Sequence, residues 1–529
     1  LFKEPIMSSS LSRRRFLTLS GATGAALAAD PAAALAGARP RIRWQARISS
    51  DMPEPDLGEL VLSRLAYGAT PADRDEMKRL GPTGWLEAQL RPEAIGDGMV
   101  DAYLAALKTV DMGSGELFAH DKPAQIIQEL QDAAFHRMVY SRRRLLETMV
   151  EFWSDHLSID IREKYARVFK TVDDREVVRR HALGSFRELL NASAKSPAML
   201  SYLDNDTNTK KKPNENYGRE IMELHTLGVA VNGYPYTETD VKEVARCFTG
   251  WTYQLRDADG KPPGSYVFQR GQHDTGAKTV LGQAIPAGGG EIDGQSVIDI
   301  LCRHQATARY VATKLLRRLV CDDPQTDCPA LVEAVAAAWG KDGSVPTLLR
   351  LILASPEFAA SFGRFGGKLL RPLDHAARML RVLGWPAAEY PNAASAILGG
   401  RGMLAGAGQL PFYWPTPDGY PDQKEAWMAS APTIERWNLA LALCGASPTF
   451  KPKYLPASGT PPDLTRAGQV VDHWIGRVLG RPMLAADRAV LVDFLTLGGT
   501  DGDSLTAAMR DRIGAMIALI LDSPYFLWR

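Results

Sequence analysis

Apolar residues recur three and four positions apart along most of this chain, the period of an amphipathic helix. Breaks rich in Gly, Pro and Asp separate one such stretch from the next. Leu62, Leu65 and Ala66 share one face ahead of Gly68. Thr70-Pro71-Ala72-Asp73 then opens a new stretch with a hydroxyl cap, a proline in the first turn and an acid near the positive end of the helix dipole. The same reading predicts helices over 79–91, 98–110, 122–157, 173–195, 215–228, 238–250, 294–320, 328–340, 345–354 and 366–384, then 431–444, 465–479, 484–496 and 504–521. Between 262 and 283 the pattern changes. Tyr266-Val267-Phe268 and Thr279-Val280-Leu281 read as short strands around a polar turn containing His273-Asp274-Thr275-Gly276. The expected fold class is therefore mainly α: a large multi-helix body with a small inserted β-hairpin near 262–283. A Gly/Pro/aromatic loop fills 398–425, and Gly228, Gly233 and Pro235 divide the helices at 215–228 and 238–250. Leu351–Phe358 is echoed by Leu519–Phe526, each closing a helix with Ser-Pro; two copies are too few for a solenoid.

The amino-terminal stretch has another pattern. Ser12-Arg13-Arg14-Arg15-Phe16-Leu17 precedes a mildly apolar Gly/Ala-rich run and the small residues Ala34-Leu35-Ala36, the layout of a twin-arginine export signal. This predicts a signal peptide over 1–36 with Met7 as the true start, a helical core domain over 37–445 and a C-terminal helical segment over 446–529. The expected location is the periplasm or another extracytoplasmic space. No later apolar run approaches the roughly 18 uncharged residues of a membrane span, so none is predicted.

Charge and composition narrow the partners. Lys and Arg number 62 against 61 Asp and Glu, and removal of 1–36 takes away four basic and two acidic side chains. A near-neutral chain lacks the basic surface that a nucleic acid requires, and no polybasic segment points to anionic lipid. With 45% hydrophobic residues it can bury a substantial core. None of the five cysteines forms a Cys-x-x-Cys pair. Cys321 and Cys328 are close enough in sequence for a disulfide in an oxidising compartment, or they stand as separate buried thiols.

Candidate chemistry concentrates between Asn214 and Trp251. Asn216, Glu220 and Glu223 fall on one helical face, and Asp240, Glu243 and Cys247 on another, with Arg219 and Arg246 beside them. A hairpin of the two helices could gather Glu220, Glu223, Asp240 and Glu243, and carboxylates so gathered need a cation, arginines or shared protons. Two readings stay open. One is a metal or acid/base site: His156, Glu220, Asp240, Glu243 and His273 as ligands of a divalent cation, and Glu220, Glu223, Arg246 and Asp274 as catalytic groups. The other is a salt-bridge network of Arg219 with Glu223 and Arg246 with Glu243, with acids capping helix starts. No phosphate-cradling loop, dinucleotide fingerprint or Gly-x-Ser-x-Gly elbow is present. The run Gln409–Pro421 carries aromatics beside Gln and Asp, which suits a sugar ring or a loop that merely packs over the helices.

These residues carry a resemblance. Leu65–Pro71, Phe152-Trp153-Ser154-Asp155-His156, Asn214–Gly228, Tyr236–Val241, Ala245–Trp251, His273–Lys278, Ala306–Arg309 and Pro417-Asp418-Gly419-Tyr420 resemble, in order, the motifs of the bacterial family catalogued as domain of unknown function 1800. Gly218 departs from the alanine more usual at its place. The resemblance implies an exported, mainly helical protein and no particular reaction, and it implies one shared site around His156, Glu220, Glu223, Asp240, Arg246, His273 and Asp274. The expected function is a metal-assisted hydrolase acting on an envelope component or sugar-like small molecule; the alternative is a non-catalytic periplasmic binding or scaffold protein.

Overall fold

In the computed structural model, residues 52–229, 236–400, 402–447 and 450–529 are described; the export signal read in 1–36 and the break at Gly233 and Pro235 lie outside them. The architecture is mainly α, as the periodicity predicts, with two small antiparallel two-stranded sheets. Among the described residues no helix is long and apolar enough to cross a membrane. The chain divides into two compact units, one from 54–382, 409–427 and 528–529, the other from 383–408 and 428–527. The second unit contains the helices Tyr390–Leu398, Ser430–Leu443, Ala467–Leu479, Ala485–Thr496 and Ala507–Leu521. Its core is Leu439, Val470, Trp474, Leu491, Ile517 and their buried neighbours.

Local signals place the helix starts of the first unit. Thr70 accepts from the Asp73 amide, and Asp73 accepts from the Thr70 amide, so the expected cap is a reciprocal box. The single helix expected over 122–157 is two. Pro123–Tyr140 ends at Ser141, and α1 (Arg144–His156) begins three residues later. The turn is fastened by the Asp97 carboxylate, which accepts from the Ser141 hydroxyl and the Arg142 amide. α2 (Glu215–Met222) widens into a π-turn over Glu223–Leu227 and packs on α3 (Glu238–Cys247). Gly218 permits that approach: a Cβ there would stand 3.0 Å from the Ala245 amide nitrogen and 3.2 Å from the Val241 carbonyl oxygen. α4 (Gln305–Leu319) and α5 (Pro372–Leu383) complete the elements that matter below.

The strands expected at 266–268 and 279–281 exist, but not as partners. β1 (Trp251–Tyr253) pairs with β2 (Tyr266–Phe268), and β3 (Lys278–Val280) pairs with β4 (Gln283–Ile285). The second hairpin closes through Leu281 and Gly282, with φ of 48° and 75°. Two successive positive-φ residues are what a tight two-residue turn needs, so this strand finds its partner immediately after itself. The two Ser-Pro sequences do the same work at separate places: Ser355 and Ser523 each donate to the carbonyl three residues back, at 2.7 and 2.6 Å, and a short helix follows.

Candidate functional site

α1 has two faces. Met149, Val150, Phe152, Trp153 and His156 are buried among apolar and aromatic neighbours. Glu147, Glu151, Ser154 and Asp155, spaced by three and four, form a polar stripe on the other side. Opposite that stripe stand three buried arginines. Arg318 of α4 donates to Glu151 at 2.9 Å and to both oxygens of Asp374 at 2.9 and 3.0 Å. Arg371 donates to Asp155 at 2.9 Å, to Glu151 and to Asp374 at 3.2 Å. Arg529 donates to Asp374 at 3.0 Å, and Asp422 accepts from Arg318 at 3.4 Å while pairing with Arg371 at 3.2 Å. The three cations hold Asp374 well below the usual carboxylate range against the opposing effect of its burial.

Four carboxyl groups, Glu151, Asp155, Asp374 and Asp422, thus face three guanidinium groups. Among the four, Asp155 is the group whose charge the surroundings disfavour. Burial raises the pKa of Asp155 well above its ordinary value, and the neighbouring Glu151 charge raises it further; Arg371 opposes the shift without reversing it. Glu151 lies one turn before Asp155 on the same face of α1, and Arg371 donates to both.

The pair opens on a cavity of about 40 Å³ whose wall includes Glu151, Ser154, Asp155, Arg179, Phe412 and Tyr420. A space of that size holds water. Among the described residues the Ser154 hydroxyl has no hydrogen-bond partner. The roof is the part of the expected aromatic loop from Gln409 on. Gln409 accepts from the Leu373 amide at 2.9 Å, Gln131 donates to the Pro411 carbonyl at 2.8 Å, and Tyr420 donates to the Leu410 carbonyl at 2.6 Å. Phe412 takes a φ of +63°, an uncommon conformation for an aromatic residue. Gly419, with φ +76°, presses against the end of α1: a Cβ there would lie 2.0 Å from the Asp155 carbonyl oxygen. Phe152–His156 and Pro417–Tyr420 are therefore two sides of one contact.

Lys314 lies one turn before Arg318 on α4. Among the described residues it has no carboxylate within ion-pairing distance, and its ammonium lies 5.8 Å from the centre of the Tyr310 ring. Burial lowers its pKa, partly offset by the charges of Asp422, Asp155 and Asp418. Two imidazoles share this environment. His156 donates from Nε2 to the His225 carbonyl at 3.0 Å, and among the described residues its Nδ1 and both buried ring nitrogens of His225 have no partner. Burial, with the Lys314 charge, pushes His225 down to about 3 and His156 well below the ordinary value, so both rings are neutral. Glu220 is half-buried; burial raises its pKa, and the charges of Glu223 and Asp418 add to the shift.

The other expected site residues are placed differently. α2 and α3 pack with Gly218 against Val241 and Ala245, and their acids are taken up by separate donors or by Arg219. Arg219 binds Glu238 at 2.9 and 2.7 Å and reaches Glu223 at 3.5 Å. Asp240 caps α3 through Thr237 and accepts from the Leu281 amide at 2.8 Å. Glu243 accepts from Arg246 at 2.7 Å and from the Thr279 amide at 3.0 Å. Asp274 takes two bonds from Arg246, at 2.9 and 3.1 Å, which lower its pKa to about 2. His273 is buried, bonded to the Thr249 carbonyl at 2.8 Å and to Asp293 at 3.1 Å, while Asp293 also binds Lys278 at 2.7 Å. The expected gathering of His156, Glu220, Asp240, Glu243 and His273 around one cation does not occur; among the described residues no three His, Cys, Asp or Glu side chains could hold a metal ion.

Glu151, Asp155, Lys314 and Arg371 were not among the expected site residues. Only the first two left a signal: acids at 147, 151 and 155 recur every fourth position along one helix.

A mainly helical unit built around a buried web of acids and arginines defines the class. Residues 60–528 match the family described as Protein of unknown function (DUF1800), and the chain belongs to that family. No curated protein and no solved structure gives a match.

Proposed function

We propose that this protein is an exported acid–base hydrolase whose reacting centre is the Glu151–Asp155 pair. The observation that carries the reading is the pairing of Glu151 with Asp155, both bound by Arg371, on the wall of a water-sized cavity, where burial favours the neutral form of Asp155. Two such groups divide the work of hydrolysis: the carboxylate draws a proton from water as it attacks, and the carboxylic acid protonates the departing oxygen or nitrogen. Arg371, bound to both groups, fixes their orientation and steadies negative charge developing beside them. A substrate larger than water reaches the pair only when the roof loop moves aside. That loop presents half-buried Tyr413 and Trp414 beside exposed Asp418, a surface suited to a sugar-like envelope component.

Hydrolysis of a panel of p-nitrophenyl glycosides and esters by the purified protein tests this. Turnover of at least one class should fall at least 100-fold in Asp155→Asn while the melting temperature stays within a few degrees. A protonated-carboxyl band in the infrared spectrum should vanish in the same variant. Turnover unchanged by the substitution, or no turnover on the whole panel, counts against the hydrolase. The second reading, a binding or scaffold protein, draws on the Arg246 region, where Asp240, Glu243 and Asp274 all have structural partners.

A further inference from the structure

Cys321 and Cys328 lie just beyond α4, both buried, with their sulfurs 3.6 Å apart. The backbone between them is held by a short helix, Pro324–Asp327; the Asp327 amide donates to the Asp323 carbonyl at 2.8 Å and the Cys328 amide to the Pro324 carbonyl at 3.0 Å. Cys328 precedes the helix Pro329–Ala337. The two thiols differ from the other three. Burial pushes the Cys247 and Cys302 thiols up to about 12 and raises Cys444 as well, which leaves them unreactive. Cys321 and Cys328 instead share a hydrogen bond in which either thiol can donate, and that contact lowers the Cys328 pKa and raises that of Cys321. Bond formation needs the sulfurs to close to about 2.0 Å, a change within reach of side-chain rotation.

The residue next to Cys321 is tied to the candidate site. Asp322 binds Lys368, whose ammonium also donates to the Asp422 carbonyl at 2.8 Å, and Asp322 accepts from the Lys424 amide at 3.3 Å. Asp422 and Lys424 belong to the roof segment 409–427. The turn that carries Cys321 thus holds one end of the loop over the carboxyl pair.

We propose that Cys321 and Cys328 form a disulfide in the mature protein, and that this bond fixes the Asp322 turn and through it the 409–427 loop. The Cys328 thiolate attacks a disulfide-bearing oxidant and expels one of its thiolates, forming a mixed disulfide. The Cys321 thiol then attacks the Cys328 sulfur and expels the second thiolate, which takes up the proton. Two thiols are oxidised, one external disulfide is reduced to two thiols, and two hydrogens leave the protein. This proposal stands on the sulfur geometry and goes beyond the hydrolase reading.

The test treats the full purified chain with oxidised glutathione, denatures it, alkylates free thiols and maps the peptides. The expected result is a loss of two hydrogens on peptides joined through Cys321 and Cys328, with Cys247, Cys302 and Cys444 alkylated without reduction. Alkylation of both Cys321 and Cys328 after oxidation, or a persistent glutathione adduct on Cys328, overturns the bond. Limited proteolysis reads the anchoring: cleavage within 409–427 should be several-fold slower in oxidised than in reduced protein, and a C321S/C328S variant should match the reduced rate under both conditions. Equal rates in oxidised and reduced wild type overturn the anchoring.

Discussion

The Arg246 region and the Glu151–Asp155 region contain the same kinds of side chain, acids and arginines with histidines close by, yet they are built on opposite terms. Around Arg246 every acid named has a donor. Asp274 takes two bonds from the guanidinium, Glu243 takes one more, and Asp240 serves a helix cap and the β3–β4 hairpin turn. The result is a latch that fastens the β-hairpins to α3. Around Glu151 and Asp155 the pairing is incomplete: burial disfavours the charge of Asp155, and among the described residues the Ser154 hydroxyl has no partner and Lys314 no ion pair. Fully paired polar clusters specify a structure, whereas incompletely paired ones in a cavity retain capacity for chemistry.

The most disruptive way to break that contrast is Asp374→Asn. Asp374 is fully buried and accepts from Arg318, Arg371 and Arg529. Removing its charge leaves three buried cations short of a partner, and the loss expected in urea unfolding is about 3–5 kcal/mol.

A change of pH probes the same unit more gently. His225 keeps its proton off down to about 3 in the folded protein, against 6.5 for an ordinary imidazole. Between those values the unfolded chain binds more protons than the folded one, so stability falls as the pH falls. By pH 4.5 this one residue should account for roughly 2–3 kcal/mol of loss. Urea midpoints at pH 7 and pH 4.5 should differ less in His225→Asn by that amount, and an unchanged difference would place the acid sensitivity elsewhere. On the latch side, Asp274→Asn weakens a partly exposed bidentate pair, worth about 1 kcal/mol after solvent screening, and should leave hydrolytic turnover untouched.

What was legible in the sequence follows from the range of each signal. Helices, the Thr70–Asp73 box and the Thr237–Asp240 cap depend on neighbours within one turn, and the pattern states them directly. Strand pairing was less legible, because Leu281 gives no hint that it takes a positive φ before Gly282. The carboxyl pair was hidden for another reason. Its identity as a site depends on Arg318 and Arg371, which are 167 and 220 residues away from Glu151, and on which of the many acids lacks a full set of donors. His273 shows the converse error. A histidine next to an aspartate in a polar turn looks available, but it is fully buried and bonded to Asp293 and Thr249.

The smallest expected effect gives the sharpest separation of the two regions. Asp240 was expected among the cation ligands, and the structure shows it bonded to the Thr237 amide and hydroxyl at 2.8 Å each and to the Leu281 amide. As a cap, its loss in Asp240→Ala should destabilise the protein by about 1 kcal/mol, seen as a drop of a few degrees at most in the melting temperature. Turnover per folded molecule should not change, nor should added divalent metal distinguish the variant from wild type. If Asp240 instead ligates a cation, the variant would lose a metal-dependent rise in melting temperature that wild type shows. The cap reading therefore fails on a measurement other than stability alone, and it fails without disturbing the carboxyl pair, because the substitution lies on α3 rather than on α1, α4 or α5.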